Sequence, residues 1–490
     1  LFLEDKDGDD VAENVTALFK SNEPRHNQLQ VSCARWGIDN LIYLNNGLDL
    51  KEIYPVDEPE KKVSISRSNI SFDPKSNVIE AVSGYGQFGA TIDDWGRRFS
   101  CSNRNPTMFA VMPKWAVQRN PFDHITQGHI DIAPAGANSK VYPFEISHTT
   151  SVAHAGTHTA ACGLGVYRGN LMPDLNGNVF VTEPTAQLIT RSTLKSDGGS
   201  LKTERVGEKQ DFLVSSDAWA RPVNMRNSPD GALYFCDMYR RFIDHARFFP
   251  EEFSKSHYMR AGVDQGRIYR LVPKGHVAKK IEPLPEADAD LASLLSSPNG
   301  WTRTHAQRLL VERQAEGIEQ VVRQVFENSE LPQGRLHSFW TLHGLGKLTS
   351  DDVGRALNDP HPAVVENAVT QATPENHNDF ILKIAEEGSD RAQYAALLEL
   401  GYAPTPEVTK LFQEVLHNRG GIRDQWIRNA ILTGSEERAG AILAYSLDNP
   451  IAAGNGIAPT LEQRADFIRD FATAVGARGD SAELAAILKP

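Results

Sequence analysis

The chain changes its hydrophobic period once, between about residues 275 and 287, and no single element type satisfies both patterns. Up to Lys274 it consists of short runs of β-branched and aromatic residues broken by Gly, Asn and Asp turns, the pattern of antiparallel sheets. After Pro283-Leu284-Pro285 the composition turns to Ala, Leu, Glu and Arg at helical spacing. A length of 490 residues also exceeds what one core accommodates, since cores stop growing near ~250–300 residues. The expected organisation is a β unit over 1–275, a linker over 276–287 and an α unit over 288–490.

Within the β unit one strand-turn-strand pattern returns four times. It reads Ala34-Arg35-Trp36-Gly37-Ile38-Asp39-Asn40-Leu41-Ile42-Tyr43, then Thr91-Ile92-Asp93-Asp94-Trp95-Gly96-Arg97-Arg98-Phe99. A looser copy joins Gly163-Leu164-Gly165-Val166-Tyr167 to Asn178-Val179-Phe180-Val181, and the clearest runs from Asn227 to Phe235 through Pro229-Asp230-Gly231. Such widely spaced copies predict β-propeller blades with long insertions, because radial repetition lets each small sheet bury its faces against its neighbours. Rings of this kind close with about six blades, so four visible units predict a six-bladed type whose N-terminal blades precede this chain. An irregular β-sandwich is the alternative. In the α unit, Val353–Leu357, an Asn358-Asp359-Pro360-His361-Pro362 turn and Ala363–Val369 repeat the layout of residues 290–311. Helix, Asp-Pro-type turn and helix predict HEAT-like repeats that offer a protein-docking face, with an irregular all-α bundle as the alternative.

With 63 acidic against 51 basic residues and a net charge of -12, the chain has no broad cationic surface for a phosphate backbone, and nucleic acid is not an expected partner. No apolar run reaches the ~18–20 residues of a membrane span, and no basic-then-apolar signal opens the chain. It begins at Leu1 within an apparent strand, so an upstream segment is expected to be missing. Cys33, Cys101, Cys162 and Cys236 form no C-x-x-C, which excludes a zinc ribbon and a covalent haem attachment in this chain. Buried free thiols are the first expectation for them, and one Cys101–Cys162 disulfide the second.

Three stretches carry residue types suited to chemistry. His26, in Arg25-His26-Asn27-Gln28 just ahead of the first unit, offers an imidazole with a pKa near ~6.5 that can accept a substrate proton, with Asn27 beside it in a substrate pocket. Asp5, Asp7 and Asp9, with Glu13 beyond, alternate carboxylates as calcium loops do, although Gly8 falls too early for an EF-hand and a solvated acidic turn accounts for the spacing equally. His148, His154 and His158 sit in a Thr- and Ala-rich loop; unrelated polar side chains are the expectation there, with His158 alone retained as a pocket residue.

These stretches fall in an order that resembles the soluble quinoprotein glucose and aldose-sugar dehydrogenases. His26-Asn27 followed by Ala34–Tyr43 resembles the segment carrying their general-base histidine. Gly86-Gln87-Phe88-Gly89 ahead of Cys101-Ser102-Asn103-Arg104-Asn105-Pro106, then Thr159–Tyr167, then Arg221-Pro222-Val223-Asn224 with Pro229–Tyr234, are similar to later segments of the same proteins. More closely, residues 1–275 resemble the N-terminal part of the planctomycete and verrucomicrobial membrane-bound dehydrogenase or haem-binding-domain family, in which a HEAT-like region follows. Phe88–Gly96, Ala161–Gly169 and Asp237-Met238-Tyr239-Arg240 running on to Gly266–Arg270 carry that likeness.

The resemblance implies a periplasmic or other extracytoplasmic oxidoreductase acting on a sugar or related alcohol and passing electrons to a c-type cytochrome. His26 would be the base, with Gln87, Asn105, Thr159 and Arg221 holding pyrroloquinoline quinone, Tyr239 in the substrate pocket, and calcium as a second cofactor. A guanidinium at Arg221 suits a quinone carboxylate. Two departures stand against the pattern. The chain lacks C-x-x-C-H, and Thr182-Glu183-Pro184-Thr185 has no lysine where the sugar dehydrogenases place one beside the quinone. A non-catalytic module binding a glycan or protein partner is therefore the alternative function.

Overall fold

The computed structural model of the chain describes residues 2–9, 11–23, 26, 28–146, 154–246, 249–449 and 457–488. Antiparallel sheets occupy the first half and α-helices the second. Each strand-turn-strand unit forms two adjacent strands of its own sheet. Ser32–Trp36 pairs with Ile42–Asn45, Gly89–Ile92 with Arg98–Ser102, Gly163–Val166 with Val179–Glu183, and Pro222–Asn227 with Leu233–Asp237. Further antiparallel strands extend each sheet outward, to Val78–Val82, His129–Asp131, Ser200–Arg205 and Arg267–Leu271. A hairpin of Phe2–Glu4 with Asn14–Thr16 and a small sheet of Phe19–Ser21, Glu52–Pro55 and Val63–Ser64 complete the β half.

The first strands of the four large sheets lie side by side, pointing the same way. Gly89 approaches Cys162 and Leu164 while Thr91, two residues on, receives the Val166 N–H on its Oγ1 at 3.2 Å. Gly163 meets Val223 and Asn224, and Gly165 meets Met225. Glycine is required by this approach: a Cβ at Gly163 would stand 2.7 Å from the Val223 carbonyl oxygen and 2.8 Å from the Asn224 Cα. The four sheets thus fan out from a common line of inner strands. No closed barrel is formed among the described residues.

Helices run from Asp288 to Ile487. Local sequence explains their starts. Pro332, Pro362, Pro374 and Pro406 each stand in a first turn, where the missing N–H costs nothing. Thr349 with Asp352 and Thr460 with Gln463 form reciprocal capping boxes. Inner and outer helices alternate: Gly300–Glu312, Pro332–Gly344, Pro362–Val369, Asp390–Leu400 and Gln425–Thr433 reach the β half, whereas Glu319–Asn328, Ser350–Leu357 and Pro374–Glu387 cover them from outside. Among the described residues no helix is long and apolar enough to cross a membrane.

The two halves share one core, in which Ile38, Phe99, Phe109 and Leu164 belong to the same buried cluster as Leu310, Phe339, Leu397 and Ile431. Buried charges stitch the seam. Asp94 accepts from Arg168 at 2.6 Å and from Arg303 at 2.5 Å, and Glu366 accepts from Arg97 and Arg391, both at 2.6 Å. Hydrogen bonds to backbone carbonyls join them: Gln307 donates to the Ile38 carbonyl, Asn40 to the Trp340 carbonyl, and Arg119 to the Leu398 and Thr433 carbonyls. Among the described residues, the inner face of the helical half is covered by the chain's own sheets.

Candidate functional site

Since the four inner strands run in one direction, they begin at one end of the fan. His26 precedes Ser32–Trp36, is partly buried, and packs edge-to-face on His245 with ring centroids 5.1 Å apart. Its Nδ1 accepts the Gln28 backbone N–H at 3.2 Å. Gln87 precedes the second inner strand; its N–H donates to the Cys101 carbonyl and its own carbonyl accepts from Ser32 Oγ at 3.0 Å. Gln87 is 6% exposed, and its side-chain amide makes no hydrogen bond among the described residues. Asn27 lies outside the described residues, as does His148.

Arg221 precedes the fourth inner strand and is 1% exposed. Each guanidinium nitrogen is committed to a backbone carbonyl: Nε to Arg240 at 2.9 Å, Nη1 to Pro184 at 2.8 Å and Nη2 to Arg241 at 2.9 Å. Burial lowers its pKa to about 10, and the nearby Asp237 opposes the shift. The segment from Arg240 to His245 thereby links Arg221 to His26. Arg221 acts as a clamp on the loop that carries His245 and presents no open fork.

Ahead of the third inner strand, Thr159 and Ala160 donate their backbone N–H groups to Glu183 Oε2 at 2.9 and 3.0 Å, and Thr185 donates to Oε1 at 3.1 Å. Glu183 is fully buried, and burial pushes its pKa up to about 7 against those three donors. His158 is buried as well, with Nδ1 3.3 Å from the Ser139 carbonyl and Nε2 unpartnered among the described residues. Burial, reinforced by Arg205, holds it near about 3, so the ring is neutral across the physiological range. Asn105 stands farther from the line of inner strands, its amide donating to both oxygens of Asp131 at 3.0 and 2.9 Å. Tyr239 has a positive φ of 51° and lies under the Arg267 guanidinium, 4.0 Å from its ring centroid. His26, Gln87, Thr159 and Arg221 each lie just ahead of an inner strand, while His158 is enclosed and Asn105 is tied to a carboxylate.

Residues 1–275 match the family described as Domain of unknown function (DUF7133). The chain belongs to the DUF7133 family. Among solved structures, the DUF7133 chain is similar to a glucose dehydrogenase at 15% identity, with 47% of this chain and 67% of the other covered and a TM-score of 0.28. An oxidoreductase (glucose dehydrogenase) from Thermus thermophilus is similar at 17% identity over 41% of this chain and 58% of its own, with a TM-score of 0.24. Superpositions that loose decide neither fold nor chemistry. No curated protein matches the chain.

The DUF7133 site does not fit a tricarboxylate quinone held by Arg221. All three guanidinium nitrogens already donate to carbonyls, and the position where a lysine would neutralise the quinone lies beside the buried acid Glu183. His245 was invisible to sequence reasoning: it meets His26 through a contact far apart in the chain, with no local signal beyond its residue type.

The acidic loop joins Phe2–Glu4 to Asn14–Thr16 at the chain's exposed edge. Asp5, Asp7, Asp9 and Glu13 bring one ligand oxygen each to within 4.8 Å of one another, and no other described group of His, Cys, Asp and Glu converges in this way. Gly8, at φ 77°, makes the turn, and its N–H donates to Asp5 Oδ1 at 2.7 Å while Val11 donates to Asp9 Oδ1 at 2.9 Å. The backbone N–H groups of Asp9 and Lys6 hold Asp7 and Glu13 in the same turn, at 3.2 and 2.6 Å. All four cysteines are free thiols, so no Cys101–Cys162 bridge is formed. Burial raises Cys101 well above the usual thiol range and Cys162 to about 12.

Proposed function

We propose that the β half is the larger part of a β-propeller that oxidises a sugar or related alcohol at its leading end. The parallel packing of four inner strands, each opening a separate antiparallel sheet, supports the propeller reading. The observation that carries the chemistry is His26, a partly exposed imidazole braced by His245 at the end of the fan where Gln87 keeps its side-chain amide unpaired. In this reading the substrate hydroxyl gives its proton to His26 Nδ1, which releases the weak Gln28 contact. Two electrons and the second hydrogen leave to an acceptor from outside this chain, with a c-type cytochrome as the final sink.

A second reading is favoured by Arg221 and Glu183. With the arginine spent on carbonyls, and a buried acid but no lysine in Thr182-Glu183-Pro184-Thr185, the unit is a cofactor-free module that holds a glycan or protein partner. The test is dye reduction by the full chain with a panel of sugars and alcohols, with and without pyrroloquinoline quinone and calcium. Substrate-dependent reduction supports the oxidoreductase. No reduction under any condition, together with saturable binding of a panel member, decides for the binding module.

A further inference from the structure

An open cleft at the seam lies on the far side of the inner strands from His26, at their trailing ends. It offers about 1030 Å³ between the first two sheets and the inner helices, above the ~300–1,000 Å³ that serves a single small ligand. Three of the chain's seven tryptophans, Trp95, Trp115 and Trp340, line it. At the rim, Trp115 from the β half and Tyr402 from the helical half stack at 5.2 Å and remain 38% and 60% exposed. The Arg119 guanidinium lies 5.4 and 5.0 Å from the two ring centroids, and the ring surface still exposed forms a platform for a ligand that is apolar on its faces.

The charges of the lining cancel. Arg97, Arg98, Lys114 and Arg391 face Asp39, Glu80, Glu366 and Glu399, four of each sign. Arg97 and Arg391 are spent on Glu366, and Arg98 lies over the Tyr43 ring at 4.5 Å beside the Tyr43 to Asp39 hydrogen bond. A strongly charged ligand gains nothing from such a wall. Unsatisfied polar groups remain within it. The Tyr394 hydroxyl is buried without a partner among the described residues, and the Glu399 carboxylate makes no hydrogen bond there, with the Arg119 charge acting on it. Gln118 and Gln371 add amides to the same wall. Aromatic platforms, a neutral lining and scattered hydroxyl and amide partners suit the faces and edges of sugar rings.

We propose that the seam cleft binds a neutral oligosaccharide, with Trp115 and Tyr402 as ring platforms and Tyr394 and Glu399 as hydroxyl partners. The cleft is separate from the leading end and independent of any chemistry there. Because both halves build it, a bound chain of sugars also bridges them.

The test is isothermal titration calorimetry of the full chain with cellohexaose, xylohexaose, mannohexaose and, as a charged control, hexagalacturonate. At least one neutral hexasaccharide is expected to bind, and hexagalacturonate is not. Trp115→Ala and Tyr402→Ala are each expected to weaken binding by roughly tenfold or more. Both rings are exposed, so the melting temperature should hold, and His26→Gln should leave this binding unchanged. Absence of heat with every neutral hexasaccharide at millimolar concentration overturns the proposal, as does wild-type affinity in both aromatic variants.

Discussion

Arg303 reaches across the seam to Asp94, with its Nη2 2.5 Å from Oδ1 and its side chain 2% exposed. The same oxygen takes Arg168 Nε, and Glu366 is held in the same manner between Arg97 and Arg391. Removing a carboxylate from such a cluster strips two buried guanidiniums of their nearest counter-charge, which costs ~3–5 kcal/mol. Asp94→Asn and Glu366→Gln are expected to lower stability by about that amount in urea unfolding. The arginine pairs draw the Asp94 pKa below the usual 3.8 and that of Glu366 from 4.5 to about 2. For an acid with a depressed folded pKa, the stabilisation is present above the unfolded value and lost as pH falls through the folded one. Stability contributed by Glu366 should therefore persist above pH 4.5 and disappear toward pH 2, and Glu366→Gln should flatten that part of the profile.

Gly163 supplies a test of the inner-strand packing. A methyl there meets Thr182 Oγ1 on its own sheet and the Val223 and Asn224 backbone on the next, neither of which can retreat. Gly163→Ala is expected to destabilise by about 1–3 kcal/mol, the usual scale of overpacking. Gly476 provides the control, because it lies in helix Leu461–Arg478 with nothing within 4 Å of its Cβ position. Gly476→Ala should be stabilising by about 0.5–1 kcal/mol. Equal melting temperatures for wild type and Gly163→Ala would mean that the inner strands lie farther apart.

The strand-turn-strand units were legible because both strands and their turn are contiguous, as in Asn227–Phe235. Outer strands such as His129–Asp131 pair only after long insertions and carry no comparable local pattern. Arg221 was recognisable as a residue before an inner strand, yet an arginine reads identically whether it faces a ligand or three carbonyls. The seam was illegible for a similar reason: Arg97, Arg303 and Arg391 look like solvated charges until their partners arrive from distant parts of the chain or from a neighbouring helix. The clustering of Asp5, Asp7, Asp9 and Glu13 was legible because one hairpin turn holds all four.

That hairpin leads to a calcium prediction. Oxygen donors on an exposed turn suit a weak site, on the order of 10⁻⁴–10⁻³ M. Binding to the folded state alone stabilises it by mass action, so calcium in tenfold excess over that constant should contribute about 1.4 kcal/mol. Scanning calorimetry with calcium and with excess chelator is expected to separate the two melting curves, and Asp7→Asn should remove the separation. Superimposable curves for the wild type would leave only a solvated acidic turn.

The oxidoreductase reading depends most directly on His26. Taking a hydroxyl proton as hydride leaves requires a neutral nitrogen within hydrogen-bond reach, and the 3.2 Å contact from the Gln28 N–H to His26 Nδ1 is weak enough to be displaced. Replacing His26 with Gln keeps a polar side chain of similar reach and removes the titrating nitrogen. His26→Gln is expected to lower turnover by about 10²-fold or more, the usual size of a general-base contribution, with the melting temperature nearly unchanged. Because His245 packs edge-on against the ring, His245→Ala should lower turnover less, by freeing the imidazole to rotate out of register. Steady-state dye reduction with the best substrate of the panel compares the two proteins. Identical rates in mutant and wild type would remove His26 from the chemistry and leave the leading end as a binding surface.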